Sequence, residues 1–258
     1  MRRVIVEEPY SNAALWSRRL SFFALALGAI SVALARGANL DVSSIMSVMG
    51  AAIFFACAAL LLAMTAAVVI WRTGRRGTGI MILGAFCAAL LLAWPAWLTI
   101  EAVRLPVLND VSTDLVDPPG FFTSAKADQA RGGVRHGAIS PETRDAQRRA
   151  YPDVQPILLD LDADEAWQLV EKAVAARGWQ IVQELPPGGR AGLGHIDAID
   201  RSPIMGFADD VTIRVRPLAG QTRIDVRSAS RWGRHDFGSN ARRIQRFARE
   251  LQTQLDAR

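Results

Sequence analysis

Asp210-Val-Thr-Ile-Arg-Val-Arg216 and Thr222-Arg-Ile-Asp-Val-Arg-Ser-Ala-Ser-Arg231 flank a turn at Pro217–Gln221. In the first stretch Val211, Ile213 and Val215 alternate with Thr212, Arg214 and Arg216; in the second Ile224 and Val226 alternate with Arg223, Asp225 and Arg227. A period of two is the mark of a half-buried strand, and two such runs joined by a turn are a hairpin. Apolar must face apolar across the pair, because a slip of one residue would move every side chain to the wrong face. This fixes the parity of the register and favours Val215 opposite Ile224 and Ile213 opposite Val226, which sets Arg214 opposite Asp225 and Asp210 opposite Ala229. Asp210, Arg214, Arg216, Arg227 and Arg231 then share the face turned away from the apolar residues.

Outward from the hairpin, a final helix over about 240–256 shows the stripe Ala241, Ile244, Phe247, Ala248, Leu251 and Leu255 at helical spacing, flanked by Arg242, Arg243, Arg246 and Arg249. Upstream, Gln155–Leu161 reads as a strand. Asp162 or Asp164 can cap a helix over about 164–176, whose apolar side is Ala166, Trp167, Val170, Ala173 and Val174, and Gly178 can end it. Trp179–Glu184 is a second strand, Pro186-Pro-Gly-Gly189 a turn, and about 191–201 a weaker third strand. The order is strand, helix, four strands, helix. It predicts an α+β domain over 151–258 with an antiparallel sheet covered on one face by two helices. Within the entry segment 105–150, residues 124–149 are poor in large apolar side chains, which predicts an irregular segment with at most one short helix, starting at Pro141.

The N-terminal 104 residues have another character. Leu20–Ala35, Ile45–Ile70 and Gly79–Ile100 carry no charge. About 20 apolar residues span the hydrocarbon layer as a helix, so these runs predict a three-helix membrane anchor (about 20–35, 45–71 and 79–100). The first run also fits a signal peptide, with Arg18-Arg19 before it and Ala33-Leu-Ala35 at its end. Arg2, Arg3, Arg18 and Arg19 precede the first run, and Arg72, Arg75 and Arg76 lie between the second and third; Arg36 alone stands in the other loop. Positive loops stay in the cytoplasm. The expected topology is an inner-membrane, multi-pass protein with a cytoplasmic N-terminus and a periplasmic C-terminal domain, whether or not the first run is cleaved.

Charge bears on function class. Up to Ile100 eight Arg stand against Glu7, Glu8 and Asp41; from Glu101 onward 22 Lys plus Arg balance 22 Asp plus Glu. The basic excess is thus a membrane-flank effect, and no nucleic-acid partner is expected. The 28 Arg against 2 Lys reflect a GC-rich bacterial genome. The three runs hold no charged or carboxamide side chain, which argues against a transport route. Ala24-x-x-x-Gly28 and Gly84-x-x-x-Ala88 have the spacing that lets helices pack closely. Both cysteines, Cys57 and Cys87, lie within the apolar runs, so the soluble part has no disulfide and no thiolate zinc site. No nucleophile motif, glycine-rich phosphate loop or paired-histidine zinc motif occurs, and no cofactor is implied.

The residues richest in chemistry are Arg227, Ser228, Ser230, Arg231, Arg234, His235, Asp236, Asn240 and Arg243. Guanidinium forks hold carboxylate or phosphate at two points, and a helix start near 240 adds N–H donors. Arg227, Ser230, Arg231, Arg234, Asp236, Asn240 and Arg243 are therefore candidates for an anion or lipid-head-group site. In the opposing reading Asp209, Asp210 and Asp225 are structural carboxylate partners, with Asp209, Asp210 or Asp236 neutralising Arg227 and Arg231 to pin the last helix to the sheet. Asp210, facing Ala229, would then lie between Arg227 and Arg231. Two further readings stay open: a hydrolase using Asp209, Asp210 or His235, and a metal site among His195, Asp197, Asp200, His235 and Asp236. Asp209 and Asp210 point to opposite faces of a strand, which weakens the first; the second matches no familiar ligand spacing. His136 is expected to be solvated.

Asn109-Asp-Val-Ser-Thr-Asp114, Asp117-Pro-Pro119, Tyr151-Pro152, Gly178-Trp179, Gly206-Phe-Ala-Asp-Asp-Val211 and Arg227-Ser-Ala-Ser-Arg-Trp-Gly-Arg-His-Asp-Phe-Gly-Ser-Asn-Ala-Arg-Arg-Ile244 together resemble the family catalogued as domain of unknown function 1499. The resemblance covers about 105–255. It implies N-terminal membrane helices and no particular activity. The expected role is thus a membrane-anchored, non-enzymatic binding or cell-envelope module, with the lipid membrane and an anionic small molecule or head group as partners.

Overall fold

The computed structural model describes residues 8–37, 41–188 and 192–257. Arg2, Arg3 and Glu7 of the charge argument, Gly189 of the predicted turn and Ala191 of the predicted third strand lie outside these. The chain forms two compact units, one of Met1–Ile100 with Ile204–Gly206, the other of Glu101–Pro203 with Phe207–Arg258.

The first unit contains α1 (Asn12–Gly37), α2 (Val42–Thr73) and the greater part of α3 (Thr78–Arg104). All three are long and apolar enough to cross a membrane, as the uncharged runs predict, and each extends beyond its run. Small residues make their packing possible. Ala24, Ala56, Ala59 and Ala88 are fully buried, with Leu20, Phe55 and Leu91 around them. At Gly84 a Cβ would lie 2.5 Å from Ser17 Oγ and 2.8 Å from the Arg18 nitrogen, so only glycine lets α3 approach α1 this closely. Ser17 and Ser31 donate to the Ala59 and Ile45 carbonyls at 2.9 and 3.0 Å. At the other end of α2, the Ser11 N–H donates to the Arg76 carbonyl at 2.9 Å, and the Arg76 N–H to the Pro9 carbonyl at 3.3 Å. The segment before α1 and the α2–α3 turn therefore meet at one end of the bundle.

The second unit is α+β. It comprises β1 (Asp110–Ser112), α4 (Ala125–Ala130), α5 (Pro141–Ala150), β2 (Ile157–Leu159), α6 (Ala163–Ala176), β3 (Gln180–Leu185), β4 (Gly194–Arg201), β5 (Ala208–Leu218), β6 (Gln221–Ser230) and α7 (Ser239–Asp256). The sheet is antiparallel in the order β1-β6-β5-β4-β3, with β2 also paired to β6. Its central hairpin has the expected register: Val215 opposite Ile224, Ile213 opposite Val226, Arg214 opposite Asp225 and Asp210 opposite Ala229. Helices α6 and α7 cover one face. Leu169, Val170 and Val174 of α6 and Ile244, Phe247 and Leu251 of α7 close on Ile196, Val211, Ile213, Val215, Ile224 and Val226, all essentially buried. Asp162 caps α6 by accepting the Glu165 N–H at 2.8 Å.

The other face departs from expectation. Residues 105–150 are not irregular: they supply β1, α4 and α5 and cover the second face of the sheet. Ala127 and Ala130 of α4, with Phe122, pack on Val182 and Ile199. Buried Gln147 of α5 holds β1 at both backbone groups of Ser112, accepting its N–H at 3.1 Å and donating to its carbonyl at 2.7 Å. Ser124 and Ser140 cap the two short helices. The sheet is thus sandwiched, and its polar face is internal.

Candidate functional site

The strand period sends alternate side chains of β5 and β6 to the two faces, and this divides the predicted constellation in two. Toward α7 lie Asp209, Ser228 and Ser230. Arg243 of α7 reaches down among them, with Nη2 2.5 Å from Asp209, Nε 2.5 Å from Asp200 and Nη1 at 2.6 Å from Asn240 Oδ1 and 2.9 Å from Ser228 Oγ. Asn240 completes the cluster by donating to Ser230 Oγ at 3.0 Å and to the Asn109 carbonyl at 3.1 Å. Burial works against the Arg243 charge, yet Asp209 and Asp200 outweigh it and hold its pKa above the ordinary value. Burial also pushes the Asp209 carboxyl up, with Arg243 pulling the other way. Arg243 therefore stays charged and has its donors filled from within.

Toward residues 105–150 lie Asp210, Arg227 and Arg231. Arg231 meets Asp210 at two points, Nη2 at 2.7 Å and Nε at 3.1 Å. The second Asp210 oxygen is 2.7 Å from His136 Nε2. The His136 side chain is only 8% exposed and that of Asp210 2%, so His136 is a buried partner and not a solvated residue. Its neighbours gave no warning, since Val134-Arg-His-Gly137 has no apolar period. Arg227 is also paired, but not to Asp209, Asp210 or Asp236. It holds Asp110 of β1 at 2.9 and 2.6 Å and donates to the Gly137 carbonyl at 2.6 Å. The sequence pattern missed Asp110 because β1 was not anticipated.

Phe121 lies between two cations, with the Arg227 and Arg131 guanidinium carbons 5.3 and 5.8 Å from its ring centre. Buried Arg131 pairs with Asp197 at 3.0 Å, and Asp197 also accepts the Phe122 N–H at 2.8 Å. His195 stacks on Phe122 and lies 2.8 Å from Thr212 Oγ1 and 3.1 Å from Asp197. Further along, buried Asp225 takes Arg214 and Arg223, each at 2.8 Å. Asp114 takes Arg223 at 2.6 Å, and Asp117 takes Arg214 and Arg216 at 2.8 and 3.0 Å. Arg214 and then Arg216 hold the Asp117 carboxyl below its usual range. The guanidinium groups of this face are satisfied by carboxylates and carbonyls, as a buried charge requires.

Asp236 does different work from an arginine partner. Its oxygens accept the N–H groups of Gly238 and Asn240 at 2.8 and 2.9 Å, so it occupies the start of α7 where an anion would sit. His235 Nδ1 accepts the Phe237 N–H at 2.9 Å. Arg234 is exposed and, among the described residues, forms no ion pair. The candidate metal ligands are dispersed: Asp200 joins Arg243, His195 and Asp197 sit on the opposite face, and His235 and Asp236 belong to the loop before α7. Among the described residues no three His, Cys, Asp or Glu side chains cluster as metal ligands would.

The family described as Protein of unknown function (DUF1499) matches residues 110–251. No curated protein matches the chain. The matched stretch runs from β1 through the ionic face to Leu251 in α7, more than half of the sequence, and this membrane-helix-bearing chain therefore belongs to the DUF1499 family.

Proposed function

We propose that the protein is a non-enzymatic binding module of the bacterial cell envelope, anchored in the inner membrane with its α+β domain in the periplasm. Its partners are the lipid membrane and an anion, either a small molecule or a lipid head group. The Arg asymmetry supports the topology, and so does the meeting of the pre-α1 segment with the Arg-rich α2–α3 turn at one end of the bundle. The observation that carries the functional reading is the exposure of Arg234, which forms no ion pair among the described residues, whereas Arg227, Arg231 and Arg243 are paired with Asp110, Asp210 and Asp209. These guanidinium groups, with Ser230, Asp236 and Asn240, serve the fold, and anion binding falls to cations such as Arg234 that lack a carboxylate. Two fusions after Arg258 test the topology: alkaline phosphatase is expected to be active and a cytoplasm-only fluorescent protein dark, and the reverse would refute the placement. Native mass spectrometry of the chain released from its own membranes tests the binding, with retained anionic lipid or metabolite expected.

A hydrolase remains the second reading because Asp210 and His136, 2.7 Å apart, form a carboxylate–imidazole pair. In that reading His136, rather than His235, is the base. Turnover abolished by His136→Asn in a still-folded chain would establish it.

A further inference from the structure

We infer that the Trp232–Arg234 loop is a membrane-docking element that seats on the anionic head groups of the bilayer. The inference rests on the proposed placement of the domain beside a membrane and names the surface that meets it. Trp232 is 57% exposed although it is one of the most costly side chains to leave in water, and it stands two residues from exposed Arg234, which forms no ion pair among the described residues. Aromatic rings with an apolar body and a polar edge favour the interface, and a neighbouring arginine adds attraction to anionic lipid. Neither residue contributes to the packing or the ionic faces described above.

The loop is also fixed to residues 101–109, the segment of its own unit that directly follows Ile100 in the chain. Arg242, in the first turn of α7, lies 3.6 Å from Glu101, the residue that directly follows the last uncharged run. A Cβ at Gly238 would lie 2.8 Å from the Leu105 side chain, so this end of α7 is in contact with the chain emerging from α3. The loop itself is tied to the same emerging segment: Asn109 donates to the Gly233 carbonyl at 2.8 Å, and the Asp236 N–H donates to the Leu108 carbonyl at 2.7 Å. Val103 and Val107, in that segment, are 84% and 62% exposed. The loop is pre-formed. Phe237 takes a left-handed backbone (φ 52°), which a bulky residue adopts only when its surroundings impose it, and its N–H is held by His235. Trp232 and Arg234 thus stand exposed on a loop fixed to the 101–109 segment of the same unit, in which Val103 and Val107 are also exposed.

The test uses the full chain in vesicles of phosphatidylcholine with or without phosphatidylglycerol, each carrying a head-group nitroxide quencher. The difference in fluorescence between the natural chain and Trp232→Phe isolates Trp232 from the other tryptophans. Docking predicts a Trp232 component that is blue-shifted and quenched in the anionic vesicles. Arg234→Gln should lower the docked-to-free ratio about fivefold, which corresponds to about 1 kcal/mol for one arginine at a charged surface. A water-exposed, unquenched Trp232 in a chain that floats with the vesicles would overturn the docking alone. Quenching that is equal in neutral vesicles and unchanged by Arg234→Gln would overturn the anionic partner. A chain that fails to float would overturn the membrane reading beneath both.

Discussion

Asp110 and Arg227, 117 residues apart in sequence, form a two-point ion pair with Nε–Oδ1 at 2.9 Å and Nη2–Oδ2 at 2.6 Å. One side chain comes from the stretch that follows the membrane helices and the other from the middle of β6. Their pairing makes residues 105–150 part of the folded domain and leaves the arginine face of the sheet inside it. A guanidinium so held is a poor recruit for an external anion, because a ligand would have to displace a carboxylate that costs several kcal/mol to leave unpaired and buried.

Gln147 is expected to be among the most sensitive polar residues of the domain. It is fully buried and satisfies both backbone groups of Ser112. Gln147→Ala leaves a buried N–H and a buried carbonyl without partners, at a cost of about 2–4 kcal/mol. Chemical denaturation should show that loss, and amide exchange at Ser112 should accelerate with it. A change below about 0.5 kcal/mol would mean that β1 is not held in this way.

At Gly84 the prediction concerns the membrane bundle. Gly84→Ala sets a methyl against Ser17 Oγ and the Arg18 backbone, and overpacking of this kind costs about 1–3 kcal/mol. The thermal midpoint of the bundle in detergent should fall, whereas Gly79→Ala, where nothing lies within 4 Å, should leave it nearly unchanged. Equal effects at both positions would contradict the close approach of α1 and α3.

Tyr151 gives an alkaline signature. Burial, followed by the nearby Asp236 charge, pushes its phenol from 10.0 up to about 12. The folded chain therefore keeps a proton that the unfolded chain has released. This contribution to stability is fully present below pH 10 and is lost as pH rises from 10 to 12. Tyr151→Phe should flatten that part of the stability profile, measured as the difference between variant and natural chain. Parallel profiles across the window would place Tyr151 in water.

The sequence was most legible where burial alternates cleanly. Val211, Ile213 and Val215 against Ile224 and Val226 fix the parity of the register, and the favoured pairing of that parity is the one formed. The membrane helices were legible for a similar reason, since an uncharged run of that length has few other uses. Residues 105–150 were misread because they are held by polar contacts. Gln147 on Ser112, Asp110 on Arg227 and Arg131 on Asp197 leave no hydropathy period to find. Local notice was slight: Pro141 marks the start of α5, whereas α4 begins after Ser124 with no proline to mark it. The candidate site was legible as a list of residue types but not as a geometry. Strand parity puts Asp209 and Asp210 on opposite faces, yet the partners Asp110, His136 and Asp200 come from distant segments that no local pattern links to them.

The central claim is that the arginine face is an internal ionic seam and not a ligand site, and a double-mutant cycle on Asp110 and Arg227 tests it most directly. The stability of the full chain in detergent would be measured for Asp110→Ala, Arg227→Ala and the pair, read from amide exchange along the β5–β6 hairpin in denaturant. The account predicts a loss of about 2–4 kcal/mol for each single change and a double variant little worse than either, a coupling of about 2 kcal/mol. Single losses below about 0.5 kcal/mol that simply add would contradict it and would return Arg227 to the residues free to hold an anion.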